Sequence, residues 1–261
     1  MTTIPVWKRI VFMPDGLNRN LLDKFVPVLL VLTVALAVAV GILWQKVTSL
    51  EKGTVTTTAP AEIAGPDATG KLPEESAKLV EKPNDKDHIR GSLDAQIYLI
   101  EYTDLECPFC KSFHPTAQQA LTEYGDKIAC VYRHFPLDQL HPKADKEAEA
   151  AECAFELGGN DAFWQYVDKI YEVTPSNNGL DLTKLPTYAG QVGLNSAELK
   201  TCLDSGKFAE KVESQYQSGL TAGVTGTPGN FIMNSKGEVW VIPGAVPYEQ
   251  MKPVIEEALK S

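Results

Sequence analysis

Two cysteines separated by two residues, Cys107 and Cys110, form the pattern in this chain that is best suited to chemistry. When such a pair opens a helix, the first sulfur lies beside unpaired backbone N–H groups, and the second lies within disulfide-bonding distance about one turn further along. The positive end of the helix dipole favours the thiolate of the first cysteine, which is the species that reacts in thiol–disulfide exchange. The spacing predicts a redox pair with Cys107 as the nucleophile and Cys110 as the resolving thiol, separated by Pro108 and Phe109.

A zinc site and a structural disulfide are the two alternatives for this pair. Zinc usually needs four ligands and therefore a second pair of cysteines or histidines. The remaining candidates are isolated in the sequence, and they are Cys130, Cys153, Cys202, His88, His114, His134 and His141. A purely structural disulfide across two residues closes a loop too short to gain much loop entropy. We therefore expect no metal and no cofactor.

A strand followed directly by a helix is the context that a redox pair of this kind needs. Residues 97–102 are an apolar run with one carboxylate, Glu101, and they predict a buried strand. The helix is predicted from Cys107 to about Tyr124, and residues 127–133 predict a second strand. A strand, a helix and a strand in succession predict two parallel strands joined by a right-handed crossover.

The rest of the chain predicts a helical segment, a hairpin and a final helix. Apolar residues recur at helical spacing, and Gly158–Gly159 is predicted to end the first of these helices. Asn195, followed three residues later by Glu198, resembles a capping box that begins a later helix. The order of elements is therefore β-α-β, a helical insert at about residues 142–223, and β-β-α. The predicted elements after the second strand are residues 150–157, 161–172, 182–192, 195–203, 208–222, 230–234, 238–242 and 247–259.

The N-terminal part of the chain predicts a membrane anchor. Residues 25–44 carry no charge, and at about 1.5 Å per residue they span roughly 30 Å of hydrocarbon. A cleaved signal peptide is the alternative, but its apolar region is usually roughly 7–15 residues long and ends at a small-residue cleavage site, whereas Gln45 and Lys46 follow here. Basic residues are concentrated in the tail at residues 1–24, which predicts a single-pass protein with a cytoplasmic N-terminus and an extracytoplasmic remainder. Disulfides persist in that outer compartment.

Residues 45–86 predict a flexible linker between the anchor and a compact domain. Their composition changes to Thr, Ala, Pro, Gly, Glu and Lys, so the segment has too few large apolar side chains to bury enough surface to fold. A turn of helix at residues 74–81 is an alternative for part of this segment. The compact domain is predicted at residues 87–261, which is long enough for a core of ordinary size.

The predicted order of elements, taken with the dithiol, is similar to a thioredoxin fold with a helical domain inserted in its middle, the arrangement of DsbA-like disulfide oxidoreductases. The resemblance covers about residues 87–261. Its four motifs are Glu101 six residues before the first cysteine, the CPFC sequence at 107–110, the helix containing AECA at 151–154, and VTGTP at 224–228. The fold class implied is α/β, namely a thioredoxin fold with a helical insert, preceded by one transmembrane helix and a flexible linker.

The resemblance also implies roles for particular residues. It implies a cis Thr227–Pro228 peptide bond that faces the dithiol, where proline has no N–H to interfere with the thiolate and Thr227 offers its backbone to an extended substrate. An ordinary trans proline at the start of a strand is the alternative. Glu101 matches a buried carboxylate that would exchange the proton of Cys110 through water, with its pKa raised by burial. A strand residue that faces solvent is the alternative. Proteobacterial DsbA has histidine in place of Phe109, and Phe109 cannot stabilise a thiolate by charge or hydrogen bonding.

Three cysteines remain outside the redox pair, an odd number for an exported domain. Cys153 and Cys202 each lie on the apolar face of a predicted insert helix, and we expect them to form a structural disulfide that holds the insert together. Two reduced, buried thiols are the alternative. Cys130 lies in the middle of a predicted buried strand and is expected to be an unreactive free thiol.

The sequence as a whole predicts a membrane-tethered thiol–disulfide oxidoreductase that introduces disulfides into exported proteins. The chain carries a net charge of −10, which argues against nucleic acids and anionic lipid surfaces as partners. The expected partners are unfolded or reduced exported proteins and a membrane quinone reductase of the DsbB or VKOR-like kind that reoxidises the pair. A disulfide reductase or isomerase is an alternative, because direction depends on redox potential. A tethered binding or chaperone module with a structural disulfide is another.

Overall fold

The computed structural model describes residues 65–261, which form a mixed α/β fold. The predicted tail at residues 1–24, the predicted transmembrane helix at residues 25–44 and the first part of the predicted linker lie outside the described residues. Within residues 65–261, no helix combines the length and the hydropathy that a bilayer-spanning segment requires.

One five-stranded sheet runs through the described domain. Its strands are, in chain order, β1 (His88–Arg90), β2 (Ile97–Thr103), β3 (Ile128–His134), β4 (Gly229–Asn234) and β5 (Val239–Ile242). Their order across the sheet is β1-β3-β2-β4-β5, which makes β2 the central strand. The parallel pairing predicted for the first two long strands is confirmed, because Ile97 of β2 lies opposite Ile128 of β3 and the register continues to the ends of both strands. The other pairs are antiparallel.

The helices flank this sheet and fill the long connection between β3 and β4. They are α1 (Glu74–Ala77), α2 (Pro108–Tyr124), α3 (Ala144–Val173), α4 (Leu185–Gln191), α5 (Ser196–Ser205), α6 (Ala209–Thr221) and α7 (Tyr248–Lys260). The break predicted at Gly158–Gly159 lies inside α3, where Gly159 has φ 73° and ψ −164° and interrupts the helical geometry. Glycine adopts such a conformation without the steric cost that a Cβ would bring. The Asn195 cap is also present, since its side chain accepts the N–H groups of Ala197 and Glu198.

Both faces of the central strand are buried, and they belong to different apolar clusters. Ile97 and Leu99 pack with α2 and with helices of the insert, whereas Ile100 and Tyr102 pack on the opposite face of the sheet. Successive side chains alternate between faces because the strand has a period of two residues. Burying one such side chain contributes roughly 1.5–3 kcal/mol. The central strand, which also carries Glu101, is therefore held rigidly from both sides.

A disulfide joins Cys153 of α3 to Cys202 of α5, with the two Cα atoms 5.9 Å apart. It is the pairing expected from the sequence, and it holds two helices of the insert together. The chain-entropy model assigns about 4 kcal/mol to a loop of this length. Cys107, Cys110 and Cys130 are free and buried.

The prediction of a flexible linker as far as residue 86 is wrong for the last part of that segment, because residues 66–86 belong to the folded domain. Leu72, Ala77 and Val80 are buried in the apolar cluster on the second face of the sheet. The Leu72 N–H also donates to the Val239 carbonyl at 2.8 Å, so the segment is hydrogen-bonded to the edge strand β5. The prediction depended on average composition, whereas a few well-spaced apolar side chains are enough to pack a segment onto an existing sheet. The three-residue strand β1 is likewise too short and too polar to give a signal in the sequence.

Candidate redox site

Cys107 lies at the N-terminus of α2, where it is the residue that caps the helix. Hydrogen bonds lower the pKa of its thiol from the ordinary 9.0 to about 6. The largest contribution comes from the Cys110 thiol, and the Thr227 side chain adds a smaller one. The backbone N–H groups of Cys110 and Phe109 contribute as well, and burial opposes all of them. Cys107 is therefore mostly thiolate at pH 7, the form that attacks or leaves in exchange.

Cys110 has the opposite character, although it lies only three residues further along. Its side chain is fully buried, and burial raises its pKa well above the ordinary value. The neighbouring Cys107 thiolate raises it further, because two negative charges at this distance repel each other. The helix therefore presents one thiol that ionises readily and one that holds its proton.

The loop between α6 and β4 brings a cis peptide bond to the dithiol. The cis bond is Thr227–Pro228, and the Thr227 carbonyl oxygen lies 3.5 Å from the Cys107 sulfur. Proline presents no backbone N–H at this position, so none is left unpaired beside the sulfur. The structure thus places together two segments separated by about 120 residues, as the resemblance implied.

Glu101 lies on β2, opposite Tyr132 of β3 and Asn230 of β4. It is buried, and its Oε1 atom has no hydrogen-bond partner within the described part of the chain. Burial raises the pKa of this carboxyl, and the charge of His114 opposes the shift. A carboxyl with a raised pKa can hold a proton close to neutral pH and release it when a base appears nearby.

Thr103 was not singled out in the sequence, yet its hydroxyl lies between the two groups that would exchange a proton. It is within hydrogen-bonding reach of the Glu101 carboxyl and of the Cys110 thiol, and it lowers the pKa of both. Its Oγ1 also hydrogen-bonds to the hydroxyl of Tyr171 on α3 at 2.8 Å. The signal that could have found it is the period of the strand, because residues two apart share a face.

The loop between β2 and Cys107 is held by the buried carboxylate of Asp104. This carboxylate accepts the backbone N–H of Glu106 at 2.8 Å, the backbone N–H of Leu137 at 2.9 Å, and a hydrogen bond from His141 Nδ1 at 2.8 Å. The Asp104 carbonyl accepts the N–H of Cys107 at 3.1 Å. Asp104 therefore ties the loop that carries the nucleophile to the segment between β3 and α3.

A second buried carboxylate, Glu106, connects the same loop to the helical insert. It accepts the backbone N–H groups of Asn178 and Leu180. Burial raises the pKa of Glu147 on α3 to about 10, and the neighbouring Glu106 carboxyl group is the next largest cause. Glu147 is therefore protonated at neutral pH.

Apolar surface lies near the nucleophile. Phe109, next but one to Cys107, is 64% exposed. Beside Pro228 lies a cleft of about 420 Å³, lined among others by Pro66, Leu72, Thr225, Thr227 and Pro243. An exposed aromatic ring and an apolar cleft at the mouth of a reactive thiol are typical of a site that contacts a polypeptide.

Two histidines that are isolated in the sequence lie close together in space, next to a glutamate. They are His88, His134 and Glu152. Each offers one potential ligand atom, and these three atoms all lie within 4.8 Å of one another. In residues 65–261 this is the one group of three such side chains, and it does not include Cys107 or Cys110. The histidines that are isolated along the chain are therefore brought together by the pairing of β1 with β3.

Comparison with protein families gives one match, to the family described as Thioredoxin, over residues 83–257. Among curated proteins, the chain is 32% identical over 148 residues to the Na⁺/H⁺ antiporter NhaA 3 of Salinispora tropica. It is 33% identical over 156 residues to the Na⁺/H⁺ antiporter NhaA of Herminiimonas arsenicoxydans. These matches cover 57% and 59% of this chain but 22% and 24% of the relatives. The chain thus matches less than a quarter of the length of either relative.

Solved structures match nearly over their full length. DsbA2 from Pseudomonas aeruginosa aligns with a TM-score of 0.58 and 26% identity, covering 69% of this chain and 98% of that one. BdbD from Bacillus subtilis, in its oxidised form, aligns with a TM-score of 0.60 and 24% identity, covering 70% of this chain and 98% of that one. A thioredoxin-like oxidoreductase from Silicibacter pomeroyi has a TM-score of 0.56 and 21% identity, covering 73% and 99%. The likenesses to BdbD and to the Silicibacter pomeroyi protein show the fold alone.

Proposed function

Because this chain belongs to the thioredoxin family, we propose that it is a DsbA-like thiol–disulfide oxidoreductase that passes its Cys107–Cys110 disulfide to other proteins. The observation that carries the proposal is the contrast between the two thiols, since the pKa of Cys107 is lowered to about 6 while that of the buried Cys110 is raised. A structural disulfide does not need such a contrast, whereas an exchange enzyme does. The likeness to DsbA2 supports the same conclusion.

In the first step, a substrate thiolate attacks the Cys107 sulfur of the oxidised enzyme. A bond forms between the substrate sulfur and Cys107, and the Cys107–Cys110 bond breaks, so that Cys110 leaves with the electron pair. The Cys110 thiolate is unfavourable in its buried position. It takes a proton from Glu101, whose pKa is raised by burial, with the Thr103 hydroxyl lying between the two groups.

In the second step, another thiolate of the substrate attacks the substrate sulfur of the mixed disulfide. The substrate gains a disulfide and is oxidised by two electrons, and Cys107 leaves as a thiolate. Leaving is favourable because the pKa of Cys107 is low and its negative charge is hydrogen-bonded at the helix N-terminus. The enzyme is then in its dithiol form.

The same electrostatics contribute to the redox potential of the pair. Ionisation of Cys107 stabilises only the reduced enzyme, since the disulfide carries no charge. With a pKa of about 6 instead of 9.0, this stabilisation amounts to about 1.4 kcal/mol at pH 7, which is equivalent to about 30 mV toward a stronger oxidant. The shift is toward a stronger oxidant, and the redox potential itself decides between oxidation of substrates and their reduction or isomerisation.

The surface of the site supports unfolded or reduced proteins as substrates. An extended segment of substrate can hydrogen-bond to the backbone of Thr227 beside the sulfur, in the manner of strand addition. Phe109 and the cleft beside Pro228 offer apolar surface to its side chains. Neither contact depends on a particular residue type, so we expect broad specificity.

The cellular context remains part of the proposal. The apolar stretch at residues 25–44 would anchor the protein in the membrane with its redox domain outside, where exported proteins fold. The relatives named as Na⁺/H⁺ antiporters act across a membrane, which agrees with that position. A membrane quinone reductase of the DsbB or VKOR-like kind would remove the two electrons from the dithiol, and anchoring would raise its effective concentration.

The test uses the full chain, oxidised with glutathione disulfide and mixed with a reduced, unfolded model protein. We expect substrate thiols to be lost with the stoichiometry of one disulfide per oxidised enzyme. Cys107→Ser should abolish the transfer, and so should Cys110→Ser, because neither variant can carry the Cys107–Cys110 disulfide. Cys130→Ser is the matched control, because Cys130 is a buried free thiol with a raised pKa. Transfer by Cys107→Ser at the wild-type rate would show that the dithiol is not the active centre.

An equilibrium titration against glutathione then separates the possible directions. A redox potential well above that of the glutathione couple supports an oxidase. A potential near that of thioredoxin, about −270 mV, would instead identify a reductase or isomerase.

A further inference from the structure

A buried cluster of three side chains lies outside the redox site. His88 comes from β1, His134 from β3 and Glu152 from α3, and all three are at most 1% exposed. Glu152 Oε1 lies 2.8 Å from His88 Nε2 and 3.2 Å from His134 Nε2. Neither the exchange chemistry nor the apolar core requires two imidazoles and a carboxylate at this position.

The donor atoms are those of a transition-metal site. Imidazole nitrogen and carboxylate oxygen bind Zn²⁺ at about 2.0–2.2 Å, and tetrahedral geometry then places the donor atoms roughly 3.4 Å apart. The two distances to Glu152 Oε1 are 2.8 and 3.2 Å. All three donor atoms lie within 4.8 Å of one another. Small movements of the side chains would therefore make room for an ion, with each imidazole coordinating through Nε2 and carrying its proton on Nδ1.

The rings are held in place by their surroundings. His88 stacks on Phe163 with a centroid distance of 3.6 Å and an interplanar angle of 14°. His134 meets Tyr132 edge to face at 5.0 Å, and its backbone N–H donates to the Gln215 side chain. Ligands fixed in this way lose little conformational entropy when an ion binds.

Lys211 of α6 occupies the open side of the cluster. Its ammonium nitrogen lies 2.7 Å from Glu152 Oε2 and 3.2 Å from His88 Nε2. The side chain is 30% exposed and lines a cavity of about 520 Å³ that also contains Asp85 and Asp87. Asp87 is paired with Arg133, so the ammonium can turn out toward solvent and Asp85 while the three buried side chains stay in place.

We propose that His88, His134 and Glu152 form a binding site for a divalent transition-metal ion such as Zn²⁺, and that Lys211 occupies the site when no metal is bound. The ammonium neutralises Glu152 in the metal-free protein, and the ion replaces it. The cavity beside Lys211 is the entry path. A water molecule that enters by the same path completes the coordination.

Two features set the expected affinity. The ion must displace the Lys211 ammonium, and a metal-bound His88 carries its proton on Nδ1, which has no hydrogen-bond partner among residues 65–261. A buried donor without a partner weakens binding. We therefore expect a dissociation constant in the micromolar range, in contrast to the tight binding of structural zinc sites.

The experiment titrates Zn²⁺ into the full chain by calorimetry and follows Co²⁺ binding by its visible absorption. The protein carries no histidine tag, and its Cys107–Cys110 pair is oxidised so that these thiols cannot bind metal. We expect one ion per chain. Lys211→Met should tighten binding about 10-fold or more, because the competing cation is gone. Glu152→Gln should abolish binding, whereas Glu156→Gln, which changes a surface carboxylate one turn away on α3, should leave it unchanged.

Each outcome decides the proposal. It is overturned if neither the wild type nor Lys211→Met binds Zn²⁺ or Co²⁺, if Glu152→Gln binds as the wild type does, or if removal of Lys211 leaves the affinity unchanged. If Glu152→Gln does not fold, the comparison of Lys211→Met with the wild type decides alone. If Lys211→Met folds only with Zn²⁺, as shown by a rise in Tm on adding the ion, the proposal is supported.

Discussion

The Cys107 thiol of the reduced protein should ionise with a midpoint near pH 6. The Cys110 thiol should make the largest contribution to this lowered pKa. At pH 7 a pKa of about 6 corresponds to roughly ten thiolates for each thiol, whereas an unperturbed cysteine at 9.0 has about one in a hundred. A hydrogen bond to a charged group contributes about 1.5–3 kcal/mol, or roughly one to two pKa units. Cys110→Ala should therefore raise the midpoint by at least about one pH unit.

Thr227→Val should raise the midpoint less than Cys110→Ala, since the Thr227 side chain contributes less to the shift. The assay is the pH dependence of alkylation by iodoacetamide, with the thiolate absorbance at 240 nm as a second readout. Cys107→Ser is the control and should remove the transition altogether. A wild-type midpoint near pH 9, or a Cys110→Ala midpoint equal to that of the wild type, would refute the reasoning.

The same ionisation makes the stability of the reduced protein depend on pH. The pKa of Cys107 is lower in the folded state, so the stabilisation is complete above pH 9 and is lost as the pH falls through 6. At pH 7 it amounts to about 1.4 kcal/mol. The oxidised protein has no thiolate here. The stability of the reduced form relative to the oxidised form should therefore grow between pH 6 and pH 9 in chemical denaturation.

Four further variants have expected outcomes. Glu147→Gln should stabilise the protein at pH 8 by more than about 1.4 kcal/mol, because only the unfolded state ionises Glu147 between pH 4.5 and about 10. The gain in stability should vanish as the pH falls toward 4.5. Urea unfolding at several pH values measures the gain, and a gain independent of pH would contradict the prediction. Glu101→Gln and Thr103→Val should each slow the release of the Cys110 thiol in stopped-flow exchange, while the Cys107 thiol still ionises with a midpoint near pH 6. An unchanged rate of release for both variants would show that this proton path is not used. Replacing Cys153 and Cys202 by alanine should lower stability by about 4 kcal/mol, with a lower Tm as the readout and an unchanged Tm as the contrary result.

The features that the sequence by itself determined are those that depend on residues close together in the chain. A dithiol at the start of a helix needs only the spacing of Cys107 and Cys110, and the parallel pairing of β2 with β3 follows from a strand, a helix and a strand in succession. The cis bond before Pro228 and the pairing of Cys153 with Cys202 join distant segments. They were expected from motifs that resemble a known family and from the apolar faces of two helices, since no local rule predicts such contacts.

Only the tertiary structure decided which groups surround the reactive thiols and what charge they carry. The contrast between Cys107 and Cys110 comes from the contact between the two thiols and from the burial of Cys110, and a loop about 120 residues away adds to it. Neither the burial nor the loop is visible in the motif. The same holds for residues 66–86, whose average composition is that of a linker although Leu72 and its neighbours find a sheet to pack against. The cluster around Glu152 has the same origin, because β1, β3 and α3 meet only when the chain is folded. Burial and electrostatic interactions depend on distance in space, and for these groups that distance is set by packing between segments that lie far apart in the sequence.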